Sequence, residues 1–101
     1  MLIPKSFDGY RAAIHPPYDS RQTLGNTRYR LIQQRQLKPV WEVSTLDPRQ
    51  LLGQIEWFQH SNSFAIISVN RAIVARPQSF KRWEDAVVAL DRMALAKAVA
   101  A

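Results

Sequence analysis

The sequence has no cysteine, and this absence excludes disulfide bonds and cysteine-ligated metal sites. Its two histidines, His15 and His60, stand far apart and have no acidic partner at metal-ligand spacing. We therefore predict a protein without a bound metal ion or other cofactor, whose histidines lie in a loop and in a turn.

The residue patterns of common catalytic sites are also missing. The glycines Gly9, Gly25 and Gly53 are scattered, so no glycine-rich loop could cradle a phosphate. No serine lies in the G-x-S-x-G setting of a nucleophile elbow. Glu84 and Asp85 are neighbours on a predicted helix and would point about 100° apart, which does not make a paired carboxylate site. The sequence predicts a protein that is not an enzyme.

Long apolar runs are absent as well. No window approaches the ~20 apolar residues of a membrane-spanning helix, and the first ten residues, MLIPKSFDGY, do not form a signal peptide. A chain of 101 residues is the length of one domain. We expect a cytoplasmic protein with no membrane partner, since the lack of cysteine fits a reducing compartment.

Acidic residues are missing from one long stretch, Ser20 to Lys38. Residues 1–39 hold seven Lys or Arg against two Asp, whereas residues 40–101 hold seven bases and six acids. The formal net charge is +6 and the sequence pI is ≈ 10.3. Such a basic balance indicates an anionic partner, either nucleic acid or an acidic protein surface.

The basic segment 1–39 is predicted to be a loop-rich arm that packs on a body formed by 40–101, in one compact domain. Proline and glycine interrupt residues 1–27, and Phe7, Tyr10 and Ile14 would anchor the arm. Residues 28–37 alternate like a strand, but Gln, Arg and Leu are good helix formers and Pro39 would end a helix. We favour a helix there.

The body begins with a short sheet. Residues 40–45 alternate and are rich in strand formers. After a turn at 46–50, residues 51–59 are predicted as a strand, although Asp47 and Pro48 could also start a helix. Residues 64–69 form a further strand, Asn70–Arg71 a hairpin turn, and 72–77 the last strand.

The clearest element is a C-terminal helix from about Phe80, with Ser79 as its N-cap. An apolar stripe at spacings of three and four faces the sheet, made by Phe80, Trp83, Val87, Leu90 and Ala94. The fold class is therefore α+β: a small antiparallel meander of three to four strands packed by a C-terminal helix, with a loop-rich N-terminal arm.

Basic residues cluster at two predicted places, the acid-free arm and the join between the last strand and the helix. At the join, Lys81 and Arg82 would lie in the first helical turn, where the helix dipole disfavours cations. A bound phosphate would reverse that penalty, because free backbone N–H groups make this turn an anion site. The predicted nucleic-acid-binding residues are Arg21, Arg28, Arg30, Arg35, Lys38, Arg71, Arg76, Lys81 and Arg82.

These features support a first hypothesis, a small basic accessory protein that binds nucleic acid through phosphate contacts. Double-stranded DNA is the expected partner, since no RNA-stacking motif is present. Exposed sheet residues, with Gln54, Glu56 and Gln59 as candidates, would read the sequence.

The alternative hypothesis is a protein–protein interaction module. It would be a small inhibitor or adaptor, of the kind found in phages and mobile elements, that docks on a larger complex. Its anchors would be Trp41, Trp57 and Phe58 on an uncovered sheet face, and an exposed aromatic patch there would equally favour a homodimer.

Overall fold

A computed structural model of the chain describes residues 16–17, 19–35 and 38–100. These residues form seven strands and one helix. The strands are β1 (Asp19–Leu24), β2 (Thr27–Arg35), β3 (Lys38–Leu46), β4 (Arg49–Phe58), β5 (Ser63–Val69), β6 (Ala72–Ile73) and β7 (Ser79–Phe80), and the helix α1 covers Trp83–Ala100.

The strands form one curled antiparallel sheet in the order β1 to β6, and β7 pairs with the free side of β5. Helix α1 packs against β4, β5 and β7 on one side of this sheet, which we call the inner face. The opposite side is the outer face. The α+β class with a C-terminal helix is confirmed, whereas the predicted three to four strands were too few.

The extra strands come largely from the segment predicted as a loop-rich arm. The helix predicted over 28–37 is wrong, because β2 pairs with β1 on one side and with β3 on the other. Sheet pairing on both sides and burial of Tyr29 and Leu31 outweigh the helix propensity of Gln and Arg. The predicted anchors Phe7, Tyr10 and Ile14 lie outside the described residues.

The central hairpin matches the prediction. Strand β3 contains the predicted 40–45, a tight turn with a cis Asp47–Pro48 peptide follows, and β4 runs where a strand was favoured over a helix. The hydroxyl of Thr45 donates a hydrogen bond of 2.7 Å to the carbonyl of Pro48 and so closes the turn.

The turn at Asn70–Arg71 is confirmed, and both residues have positive φ, 51° and 72°. Two such residues give the backbone twist that favours a two-residue hairpin. The last predicted strand is much shorter than 72–77, however, because β6 contains only Ala72–Ile73. The chain then leaves the sheet and returns as β7.

The helix begins at Trp83 and not near Phe80. Ser79 is not an N-cap, since Ser79 and Phe80 pair with Ala65 and Phe64 as strand β7. The predicted apolar stripe itself is confirmed. Trp83, Val87, Leu90 and Ala94 are buried in the core, and Phe80 packs against it half-buried.

The core lies between α1 and the inner face. Its largest fully buried side chains include Trp41, Phe64, Leu31 and Ile55 from four different strands. Trp41 also donates a hydrogen bond from Nε1 to the carbonyl oxygen of Pro17, at 3.2 Å. This bond ties the chain before β1 to the middle of the sheet.

Gly53 on β4 lets the helix approach the sheet closely. A Cβ atom at this position would lie 2.0 Å from the carbonyl oxygen of Ser68 and 3.0 Å from Cδ1 of Leu90. A side chain would therefore collide with the neighbouring strand and press against the helix.

A side-chain hydrogen bond joins the middle of the helix to β2. The hydroxyl of Tyr29 donates a part-buried hydrogen bond of 2.5 Å to the carboxylate of Asp91. Burial, together with this carboxylate, raises the pKa of Tyr29 to about 12. The tyrosine therefore stays protonated and keeps donating throughout the neutral range.

Candidate nucleic-acid interface

The acid-free stretch forms a two-stranded ribbon with a different character on each side. Strand alternation places Tyr29 and Leu31 in the core, and Arg28 and Arg30 on the outer face. Arg21 on β1 lies directly opposite Arg30 in the register. We call Arg21, Arg28 and Arg30 on the outer face of β1 and β2 the arginine ribbon.

Each end of the arginine ribbon has an acidic neighbour. Arg30 forms two hydrogen bonds with Asp19, at 3.2 Å from Nε and 3.1 Å from Nη2. This pairing holds the pKa of Asp19 below its usual value. Arg28 forms an ion pair of 2.7 Å with Asp47, and both side chains are more than half exposed. Such exposed pairs are weak and can exchange for other anions.

Sequence reasoning missed one neighbour of this ribbon, Arg49. It is exposed and lies opposite Leu46, at the tip of the hairpin that also carries Asp47. The Arg28–Asp47 ion pair brings this tip next to β2. The predicted turn at Asp47–Pro48 could have indicated this position, because a tight turn there reverses the chain and keeps residue 49 at the same end of the sheet.

The other predicted cations divide between the two ends of the sheet. The turns β1–β2, β3–β4 and β5–β6 lie at one end, which we call the upper end, and Arg71 belongs to the last of them. The backbones of Arg35 and Lys38 lie opposite each other in the register of β2 and β3, at the other end of the sheet, which we call the lower end. Arg76 is exposed between β6 and β7. A single continuous line through all nine residues is not formed.

Lys81 and Arg82 are exposed at the lower end and precede the helix. The predicted anion site in the first helical turn is therefore wrong, since that turn carries the acids Glu84 and Asp85. Arg82 instead forms an ion pair of 3.4 Å with Glu84.

Lys81 does line a small groove of ≈ 230 Å³. Its neighbours there are Phe80 and the serines Ser61, Ser63 and Ser79. The hydroxyls of Ser61 and Ser63 are 2.8 Å apart and hydrogen-bonded to each other. This groove is polar, but it lies at the opposite end of the sheet from Arg28, Arg49 and Arg71.

The predicted aromatic anchors do not form an exposed patch. Trp41 and Trp57 are buried at 2% and 4% exposure, so the expectation that they lie on an uncovered face is wrong. Both pack on Phe64, with ring centroids 6.1 Å and 4.8 Å away. Phe58 points to the outer face, half-buried, with its ring 6.3 Å from that of His60.

The predicted readout residues separate in a similar way. Gln54 and Glu56 lie half-buried on the outer face of β4, whereas Gln59 is exposed in the β4–β5 turn. Sequence reasoning also missed Glu42, although the strand alternation in "VWEV" predicts that Glu42 and Trp41 point to opposite faces of the sheet. The structure puts Glu42 beside Gln54 in the register, on the outer face.

Over the ranges that the structure describes, no helix combines the length and apolar character needed to cross a membrane. Within these same ranges, no three His, Asp or Glu side chains come together in a way that could hold a metal ion. Comparisons of the chain with protein-family models, curated proteins and solved structures find no match.

Proposed function

We propose that the protein is a small non-enzymatic protein that binds DNA, mainly through phosphate contacts made by the arginine ribbon. The observation that carries this proposal is the segregation of charge within the ribbon. Within the acid-free stretch, Tyr29 and Leu31 are buried in the core, whereas the three arginines of the ribbon share the outer face. Arg49 and Arg71 extend the same basic surface at the upper end of the sheet.

Phosphate contacts account for this surface better than base stacking does. Proteins that stack bases place several aromatic side chains on the binding face. On the outer face of the described strands, the one large aromatic side chain is Phe58, and it is half-buried. One guanidinium group can bind two phosphate oxygens at once, and displacing the exposed Asp47 from Arg28 costs little.

The test is a triple variant, R21Q/R28Q/R30Q, measured by fluorescence anisotropy with a labelled DNA duplex at several salt concentrations. The variant should bind more weakly at low salt. The slope of log affinity against log salt should flatten by about 0.9 for each phosphate that the variant no longer neutralises. Its melting temperature should stay close to that of the wild type, because exposed ion pairs contribute little to stability.

The matched control is R76Q/K81Q/R82Q, which removes the same number of positive charges from exposed residues outside the arginine ribbon. This control should retain most of the affinity. Equal losses of affinity in the two variants would mean that the DNA is attracted by the net charge of the protein and not by a defined binding surface. Unchanged binding in the ribbon variant, or no binding by the wild type at low salt, would refute the proposal.

An apolar groove supports a second candidate function, self-association through β6 and α1. The groove has a volume of ≈ 350 Å³ and is lined by Val69, Ala72, Val74, Met93, Ala96 and Ile73. Ile73 is 88% exposed. A projecting Ile73 beside an apolar groove is self-complementary, so two copies related by a two-fold axis could exchange this side chain.

Sedimentation analysis over a range of protein concentrations tests this candidate. A dimer that is lost on Ile73→Ser would support it. A wild type that stays monomeric at every concentration would exclude it. Ile73 is exposed in the single chain, so the substitution should leave the fold intact.

A further inference from the structure

A third groove, which is polar, lies on the outer face between the arginine ribbon and Arg71. Its volume is ≈ 290 Å³. Glu42, Gln54, Ser68 and Ile73 follow one another across β3, β4, β5 and β6 in the register, and all four line it. Leu51 and Arg71 complete the walls. The register of the sheet therefore builds this groove.

Two residues of opposite charge, Glu42 and Arg71, line the groove. Glu42 is half-buried, Arg71 is exposed, and neither forms an ion pair or a side-chain hydrogen bond with the residues that the structure describes. A partly desolvated carboxylate without a hydrogen-bond donor is costly, so Glu42 is poised to accept a hydrogen bond from a ligand.

The amide of Gln54 has a defined orientation. Ser68, which is buried, donates from its hydroxyl to Oε1 of Gln54 at 3.2 Å. The Nε2 group of Gln54 is thereby left as a donor beside Glu42. The groove thus offers an acceptor and a donor side by side, apolar side chains at Leu51 and Ile73, and a cation at its rim.

We propose that this groove holds one unpaired cytosine base of the DNA that the arginine ribbon binds. The exocyclic amino group of cytosine donates to Glu42, and its ring acceptors receive the Nε2 hydrogen of Gln54. Leu51 and Ile73 contact the ring, and Arg71 meets the adjacent phosphate. This inference rests on the proposed function and adds a base preference to it.

The size and shape of the groove favour a single unpaired base. Its volume lies at the lower limit of small-molecule pockets, which are about 300–1,000 Å³. A base within a duplex cannot enter such a concave site, and its amino group is already paired, so the base must leave the stack. Thymine would place its O4 oxygen against the Glu42 carboxylate, and this repulsion weakens its binding relative to cytosine.

A cationic side chain from a protein partner is the rival occupant, because Glu42 would also accept its hydrogen bonds. Arg71 on the same groove argues against a purely cationic ligand, which it would repel. A nucleotide satisfies both groups, since it carries an amino group and a phosphate.

The experiment compares labelled single-stranded dC and dT homopolymers of equal length at neutral pH. Wild-type protein should bind dC about tenfold more tightly than dT, which is the discrimination expected from one well-formed base contact. Glu42→Thr should remove the preference, since threonine is too short to reach the base. Glu42→Gln, which keeps the size of the side chain, should shift the preference toward dT because its amide can donate to O4.

Glu56→Thr is the matched control, because Glu56 is another half-buried carboxylate of the outer face but does not line the groove. It should keep the dC preference. The ribbon variant R21Q/R28Q/R30Q should weaken binding to dC and dT by the same factor and leave their ratio unchanged.

Equal wild-type affinities for dC and dT, or a preference that survives in both Glu42 variants, would overturn the groove assignment while leaving DNA binding intact. Absence of binding to any oligonucleotide would overturn both proposals. Binding of an arginine-rich peptide that depends on Glu42, in a protein without a dC preference, would assign the groove to a protein partner.

Discussion

On the inner face of the sheet, β3 and β4 present Trp41 and Ile55 to the core, whereas the adjacent residues Glu42 and Gln54 face the outer side. The same strands thus serve two tasks with alternate residues. The inner side chains are apolar and fully buried, and removing one leaves a cavity. The outer side chains include the charged or polar residues Glu42, Gln54 and Glu56, and neither carboxylate forms an ion pair with the residues that the structure describes. Inner-face changes should therefore alter stability, and outer-face changes should alter binding.

The largest expected effect tests the closest contact on the inner face. Gly53→Ala should lower the free energy of unfolding by about 2–5 kcal/mol, because the new Cβ collides with Ser68 and presses on Leu90. Urea denaturation would measure the change.

Gly25→Ala is the control for this change, since Gly25 also has a positive φ, 64°, but has no atom within 4 Å of the added Cβ. It should cost only about 1–2 kcal/mol for the left-handed backbone. Equal losses of stability in the two variants would show that neither the Ser68 carbonyl nor Leu90 lies as close to Gly53 as the structure indicates.

An intermediate effect on the free energy of unfolding is expected at Tyr29, whose hydroxyl forms a side-chain hydrogen bond to the helix. Tyr29→Phe removes the hydroxyl that donates to Asp91 and should cost about 1.5–3 kcal/mol, the range for a hydrogen bond to a charged group. The same bond predicts a pH dependence. An unfolded chain releases a tyrosine proton near pH 10, whereas burial and Asp91 hold the pKa of Tyr29 at about 12 in the folded protein.

Between these two pKa values the unfolded state binds fewer protons, so the free energy of unfolding falls as the pH rises. The contribution of Tyr29 should be fully present below pH ~10 and lost as the pH approaches ~12, with a slope of up to about 1.4 kcal/mol per pH unit. Stability curves of wild type and Tyr29→Phe should converge over this range. Parallel curves would mean that the hydroxyl ionises freely in the folded protein.

The sequence predicted correctly the turns that are determined by a few neighbouring residues. The turns at Asp47–Pro48 and Asn70–Arg71 depend on residues within a few positions, and both form as expected. Strand β2 was instead predicted as a helix, because its strand identity depends on pairing with the two strands that flank it in space. Ser79 shows the same limit. It is a good N-cap residue, but pairing with Ala65 draws it into the sheet instead.

The candidate sites show where alternation helps and where it fails. Alternation assigns Trp41 and Trp57 to one face and Glu42 and Glu56 to the other, but it does not say which face the helix covers. The acidic residues at 42 and 56 were the available clue, since carboxylates are seldom buried without partners. The proximity of Glu42 to Arg71 had no sequence signal, because it requires the register of β3 through β5 together with the following turn.

The smallest expected effect lies at the start of the helix, where a charged residue occupies a position that a capping residue would stabilise more. The carbonyl of Arg82 accepts the first helical hydrogen bond, from the amide of Ala86 at 3.3 Å, so Arg82 occupies the N-cap position. Arginine cannot accept a bond from the free N–H groups of the first turn. Its ion pair with Glu84 is exposed and contributes little. Arg82→Ser should therefore raise the free energy of unfolding by about 0.5–1 kcal/mol.

Lys81→Ser is the matched control for the capping change, because it removes the same charge one residue before the cap. It should leave the midpoint of thermal unfolding almost unchanged. If both substitutions stabilise the protein equally, relief of charge repulsion and not capping is the cause. If Arg82→Ser destabilises the protein, the ion pair between Arg82 and Glu84 stabilises the helix start more than its exposure implies. This part of the charged surface would then contribute to stability, as the inner face does.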